Sequence, residues 1–213
     1  KPEDPKPNVW YINRNYFSGA YVLGSLAALT TKTGKIGFVG AMELPFLRGQ
    51  INAIKQALKD QGSNAQFDYV FVGDFDDPVK AKQAAQSFIS KGTDVLINMV
   101  NLGIYGIFSA AKEAKFPVYV TAMYLDKSAS VPDNYLTTDL FNFSPTLKSI
   151  VGEIINGKKG GYIVIEFGEG KARYPQLPIL NVSEEINNKV KQIAEDVASG
   201  KTQVNIVIDK ILP

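Results

Sequence analysis

What this chain can do chemically is narrowed first by what it lacks. Its 213 residues include no His and no Cys. That removes imidazole bases, thiolate nucleophiles, disulfides and most zinc sites. It leaves the redox compartment open, because a chain without Cys tolerates either. Catalysis would have to rest on carboxylates, Lys, Tyr or Ser, and no G-x-S-x-G elbow, Walker loop or G-x-G-x-x-G run occurs. The densest acidic group is Asp74, Asp76 and Asp77 in GDFDDP. These could ligate an ion or act as an acid/base pair, but an Asp directly before Pro78 is also a good helix N-cap with Pro in the first turn. Glu43 stands at a strand end beside a helix start, where it can hydrogen-bond a ligand or simply be solvated. The aromatics are more suggestive. Tyr16, Phe17, Phe75, Tyr105, Tyr124, Phe141 and Phe143 all fall at or beside expected strand ends. Each can be read as closing the core where a strand stops. Together they suggest a cleft for a flat ligand, oriented by a few polar groups.

The elements that would position these residues follow from periodicity. GKIGFVG is a short apolar β run between glycines, at 34–40. After it, Leu47, Ile51, Ile54 and Leu58 recur on one helix face, with Pro45 suited to the first turn and Gly62 to the stop. The apolar run at 67–72 is a second strand, which makes a βαβ unit with the usual right-handed crossover. The same grammar continues: helix to 90, strand 94–100, turn 101–106, helix 107–115, strand 117–123, loop 124–134, strand 135–138. A helix begins at Ser144-Pro145 with Leu147, Ile150, Val151, Ile154 and Ile155 as its apolar face. Then come strand 162–167, loop 168–180, a helix capped by Ser183 with Ile186, Val190, Ile193 and Val197 inward, and a final strand at 204–208. Before the first βαβ unit lie an exposed proline-rich end at 1–7, a strand at 9–12 and a helix at 15–29. In that helix Ala20, Gly24 and Ala28 permit close packing. Strands alternate with helices at roughly thirty-residue spacing, and the strands are near-continuous apolar runs. Both features point to an α/β fold with a mostly parallel sheet covered on both faces.

In such sheets ligands bind at the carboxyl ends of the strands. That confines site candidates to 13–16, 41–43, 74–76, 98–105, 124–127 and 139–143. Charge is balanced, at 23 basic and 21 acidic residues and net +2, so no strong attraction to nucleic acid or anionic membrane is expected. No stretch reaches the ~20 apolar residues of a membrane helix, and no signal peptide is visible. A start at KPEDPKP without Met is expected of a processed or truncated product.

Several stretches together resemble the basic membrane protein (BMP) family, substrate-binding lipoproteins of ABC transporters similar to purine nucleoside receptors. They are YFSGAYVLGSLAAL at 16–29, TKTGKIGFVG at 31–40, VGDFDDPVKAKQAAQSFISKGTDVL at 72–96, SAAKE at 109–113, PDNYLTT at 132–138 and SEEINNKVKQIAEDVASGK at 183–201. The resemblance implies a periplasmic-binding-protein type I fold, two α/β lobes closing on a ligand, with an incomplete first lobe in this chain. Residues 1–33 would be a first-lobe remnant, 34–140 the second lobe, 141–160 a return to the first lobe, and 161–213 mostly second lobe. The family's ribose-holding Asp aligns with Tyr124, its second Asp with Asp126, and its Lys with Phe141.

The expected function is therefore that of a non-enzymatic, extracytoplasmic solute-binding protein without metal or cofactor. It would hold a purine nucleoside or related solute and deliver it to an ABC permease, with membrane attachment only through a lipid anchor outside this chain. Tyr105, Tyr124 and Phe141 would stack on the ligand, with Glu43, Asn98, Asn101 and Asp126 as polar contacts. The alternative is a ligand-sensing domain of a regulator or surface receptor on the same fold.

Overall fold

The computed structural model describes residue 3 and residues 6–213, so the end expected at 1–7 lies largely outside the described residues. In chain order the elements are β1 (Val9–Asn13), α1 (Tyr16–Thr30), β2 (Lys35–Gly40), α2 (Pro45–Asp60), β3 (Gln66–Phe71), α3 (Pro78–Ser90), β4 (Val95–Met99) and α4 (Ile104–Lys112). They continue with β5 (Tyr119–Tyr124), β6 (Tyr135–Phe141), α5 (Ser144–Ile155), β7 (Gly160–Val164), β8 (Arg173–Pro175) and α6 (Glu184–Ala198).

Six strands form one sheet in the order β3-β2-β4-β5-β6-β8. All neighbours are parallel except β6 and β8, which are antiparallel. Strand order reverses at β2, the doubly wound pattern that opens a crevice at the carboxyl edge. Side chains alternate between two cores, as a pleated strand requires. Ile36, Phe38, Val95, Ile97 and Met99 face α1, α2 and α6, while Val39, Leu96 and Val100 face α3 and α4. That two-sided burial explains why the strands read as unbroken apolar runs.

The helices form for the reasons their sequences give. Asp77 caps α3 by accepting from the amides of Val79 and Lys80, with Pro78 behind it. Ser183 caps α6 by accepting from the Ile186 amide. Gly24 lets α1 lie directly on α2: a Cβ there would stand 2.9 Å from Ile54 Cα. Gly106 does the same for α4, because a Cβ would run into the Pro78 carbonyl on α3.

Several expectations are corrected. The stretch 204–208 is not a strand but an extended tail held by side chains of α2. The loop expected at 168–180 contains β8, too short to show alternation. β6 runs on to Phe141 and α4 starts at Ile104. The break expected after residue 33 falls between elements that share one core. α1 is buried on nearly every side and packs against α2, α6, β4 and β8. A helix apolar all round belongs inside a domain. β1 instead pairs with β7 in a separate two-stranded parallel sheet. Of the apolar face expected on α5, Ile150 is buried, but Leu147, Val151, Ile154 and Ile155 are exposed, from 51 to 79 %.

Candidate functional site

The carboxyl edge of the sheet gathers an aromatic cluster. Tyr16 opens α1, Phe46 lies in the first turn of α2, Tyr124 ends β5, Phe141 ends β6 and Phe143 follows it. Tyr16 stacks on Phe46 with ring centroids 5.0 Å apart. Phe141 sits at the centre, 5.6 Å from Tyr16, 5.3 Å from Tyr124 and 5.5 Å from Phe143. Tyr16 and Phe141 are buried, and Phe46, Tyr124 and Phe143 are half-buried. The cluster is thus a packed floor with a partly open rim. Offset and tilted rings at these distances add to burial rather than merely filling space.

Beneath the floor lies a buried ion pair. Arg173 on β8 is fully buried, as is Asp139 on β6, and the guanidinium engages both carboxylate oxygens. It also donates to the Arg14 carbonyl at 2.8 Å and the Tyr16 carbonyl at 3.3 Å, and lies 4.2 Å from the Phe141 ring centroid. Two charges removed from water need this degree of satisfaction. Gly19 completes the fit, since a Cβ there would collide with the Asp139 carboxylate.

Three chain crossings run side by side here. The 14–15 link joins β1 to α1, the 142–143 link joins β6 to α5, and 165–172 joins β7 to β8. Ile165 donates to the Asn13 carbonyl at 2.8 Å, and Asn142 to the Ala172 carbonyl at 2.7 Å. Arg173 ties the first crossing to the main sheet. Asn15 enters α1 at φ 47, and Tyr124 leaves β5 at φ 72. Such left-handed backbone is costly for a bulky residue and persists only where the surroundings fix it.

On the rim, Arg14 Nη1 donates to the Tyr16 hydroxyl at 2.9 Å, and that hydroxyl lies 3.1 Å from the hydroxyl of Tyr124. The Arg14 guanidinium stands 5.8 Å from the Phe143 ring centroid. Its bond to Tyr16 holds it charged. Burial, helped by the bond to Tyr16, pushes the Tyr124 phenol up, so it stays protonated and able to donate.

Of the residues expected in the site, the structure brings Tyr124 and Phe141 together. Asn98 is corrected: it is buried at 1 % exposure, donates to the Thr121 carbonyl, and its Oδ1 has no protein partner. With Gln50 it lines an internal void of about 10 Å³, not the surface. Asn101 and Tyr105 are exposed at the β4 end, where Tyr105 packs edge-on against Phe108, and no ring contact joins Tyr105 to the cluster among the described residues. Glu43 is exposed, 3.5 Å from Arg48. Asp126 accepts from the Ser128 amide and from Gln176, and the Ser128 amide is the main reason its carboxyl is held below the usual range. Asp74, Asp76 and Asp77 accept from nearby backbone amides. Sequence reasoning missed Phe46 and Arg173, and it included Arg14 only within the candidate turn 13–16, without a role. Asp139 offered a signal, since an acid closing a buried apolar strand demands a partner, but nothing in a glycine-rich loop marked Arg173 as that partner.

Other proteins share this fold and parts of this sequence. A similar solved structure, an ABC-transporter solute-binding protein from Conexibacter woesei, superposes with a TM-score of 0.75 at 23 % identity, over 96 % of this chain and 68 % of that one. The basic membrane protein A2 of Borrelia garinii is 28 % identical over 203 residues, 90 % of this chain and 59 % of the relative. The CD4+ T-cell-stimulating antigen of Listeria monocytogenes is 34 % identical over 112 residues, 53 % of this chain and 31 % of the relative. The chain therefore spans a third to about three fifths of these relatives' length. The doubly wound sheet has the periplasmic-binding-protein type I architecture of such solute-binding structures, and residues 3–203 match the model of PnrA-like ABC-transporter substrate-binding proteins, so the chain belongs to that Bmp family.

Proposed function

We propose that this chain forms the second lobe, the hinge and part of the first lobe of an extracytoplasmic solute-binding protein that serves an ABC importer. A small molecule binds between the aromatic strand-end face and a first lobe built on β1, β7 and α5. The observation that carries this reading is the half-open aromatic rim at the carboxyl edge of a doubly wound sheet, placed where three crossings meet. Side-by-side crossings are a natural hinge, and closure about them would present a composite surface to the permease. The exposed apolar face of α5 and the open edges of the β1–β7 pair are where further chain packs, because an isolated two-stranded sheet is marginally stable. The protein binds rather than turns over its ligand. Among the described residues no helix is long and apolar enough to cross a membrane; the family resemblance is what suggests attachment through a lipid anchor.

Family membership makes a purine nucleoside or related solute the first ligand to try. The test is calorimetric titration of the complete gene product with purine nucleosides, free bases and simple sugars, repeated with Tyr124→Ala. Saturable nucleoside binding that Tyr124→Ala weakens at least tenfold supports the reading. Binding unchanged by that substitution moves the ligand elsewhere, and no binding across the panel removes the nucleoside assignment.

A further inference from the structure

The charges around the rim do not balance. Arg173 is neutralised by Asp139 beneath the aromatic floor. Asp126 is held by Ser128 and Gln176, Glu43 stands by Arg48, and Glu166 pairs with Lys171 at 3.0 Å. Lys127 turns its ammonium back onto the carbonyls of Met123 and Leu125. Arg14 alone stands at the rim as an exposed cation, and among the described residues no carboxylate lies within ion-pair distance of it. Of its five N–H donors, one goes to the Tyr16 hydroxyl. It is also pre-positioned. Its carbonyl is held by Arg173, its Nη1 by Tyr16, and its guanidinium lies toward the Phe143 ring. The partly exposed Tyr124 hydroxyl lies one hydrogen bond further on. A fixed guanidinium fork beside half-buried aromatic rings matches one kind of molecule, a planar ring bearing a group with two anionic oxygens.

We propose that Arg14 is the specificity-determining cation of this site and selects a planar-ring ligand carrying a carboxylate or a phosphate. The proposal rests on the binding function argued above and narrows its related solutes to anionic ones, with the neutral nucleoside as the weaker ligand. The ring lies against the exposed parts of Phe46, Tyr124 and Phe143, and the anionic oxygens take the free guanidinium donors with the Tyr124 hydroxyl alongside.

The test uses matched pairs that differ in charge. Indole-3-acetate is set against indole-3-acetamide, and inosine 5′-monophosphate against inosine. Each is titrated calorimetrically into the complete gene product and into its Arg14→Gln and Arg14→Lys variants, with a thermal melt of each variant as the folding control. A charge-assisted bidentate contact predicts a preference of about 10- to 100-fold for the anionic member of at least one pair. That preference should shrink to within about threefold in Arg14→Gln and stand between the two in Arg14→Lys. The carboxylate pair showing the effect identifies a carboxylate ligand, and the nucleotide pair a phosphate. Neutral members that bind as well as anionic ones overturn the proposal while leaving the binding function intact. So does a preference that survives Arg14→Gln. No binding by any of the four compounds overturns the proposal and counts against the binding function as well.

Discussion

Replacing Arg173 should disturb the fold more than any other single polar change in this region. Its side chain is fully buried, its guanidinium holds both oxygens of a buried Asp139, and its remaining donors satisfy the carbonyls of Arg14 and Tyr16. Arg173→Met keeps the length and apolar stem but leaves the Asp139 carboxylate unpaired in the core. An orphaned buried charge costs about 3–5 kcal/mol. A domain stable by about 5–15 kcal/mol loses a large share of that with one substitution. Asp139→Leu should cost a similar amount by stranding the guanidinium. The double variant removes both charges together, and buried pairs replaced by apolar groups are often neutral. It should therefore be more stable than the sum of the single losses predicts by at least about 2 kcal/mol. It should still fall below the parent, because the Tyr16 carbonyl loses its Arg173 donor. Equilibrium urea unfolding of the four proteins measures the cycle. Single losses below about 1 kcal/mol, or strictly additive losses, would refute the picture of a mutually dependent pair.

Other consequences follow from close contacts and caps. Gly106→Ala should destabilise by at least about 1–3 kcal/mol, read as a lower urea midpoint, because the added Cβ meets the Pro78 carbonyl and backbone must move. Ser183→Ala should cost about 1 kcal/mol by removing the α6 cap, and Ser183→Asp should restore most of it. Asn52 bonds the tail three times, to the carbonyls of Val207 and Lys210 and the amide of Leu212. Asn52→Leu should therefore release residues 204–213 to carboxypeptidase and fast amide exchange while the sheet amides stay protected. Asp126 is bound most tightly as the carboxylate, so its folded value lies below its unfolded one. Its contribution is complete above the ordinary carboxylate range and is lost as pH falls through the lowered value, so Asp126→Asn should flatten the acid limb of a stability–pH curve.

Much of the architecture was legible because it rests on local rules. The 3.6-residue spacing of Leu47, Ile51, Ile54 and Leu58 and the Asp77-Pro78 cap fixed α2 and α3 without reference to neighbours. The unbroken apolar strands called for a sheet covered on both faces, and the strand-end rule drew attention to Tyr124 and Phe141. What sequence alone could not give is distance. Tyr105 and Tyr124 look equivalent in the chain, yet only Tyr124 joins the cluster, because β5 and β6 are adjacent in the sheet while Tyr105 turns onto Phe108. Asn98 sits in a strand whose register turns it inward. Residues 204–208 are mostly β-branched and apolar like a strand but pair with no strand, and are held instead by side chains of α2. Arg14, Asp139 and Arg173 are separated by more than thirty residues from one another. They form one hub only because three crossings converge at the carboxyl edge. Periodicity decides which face of an element is buried, whereas a polar site depends on which elements meet, and that is settled by packing of the whole chain.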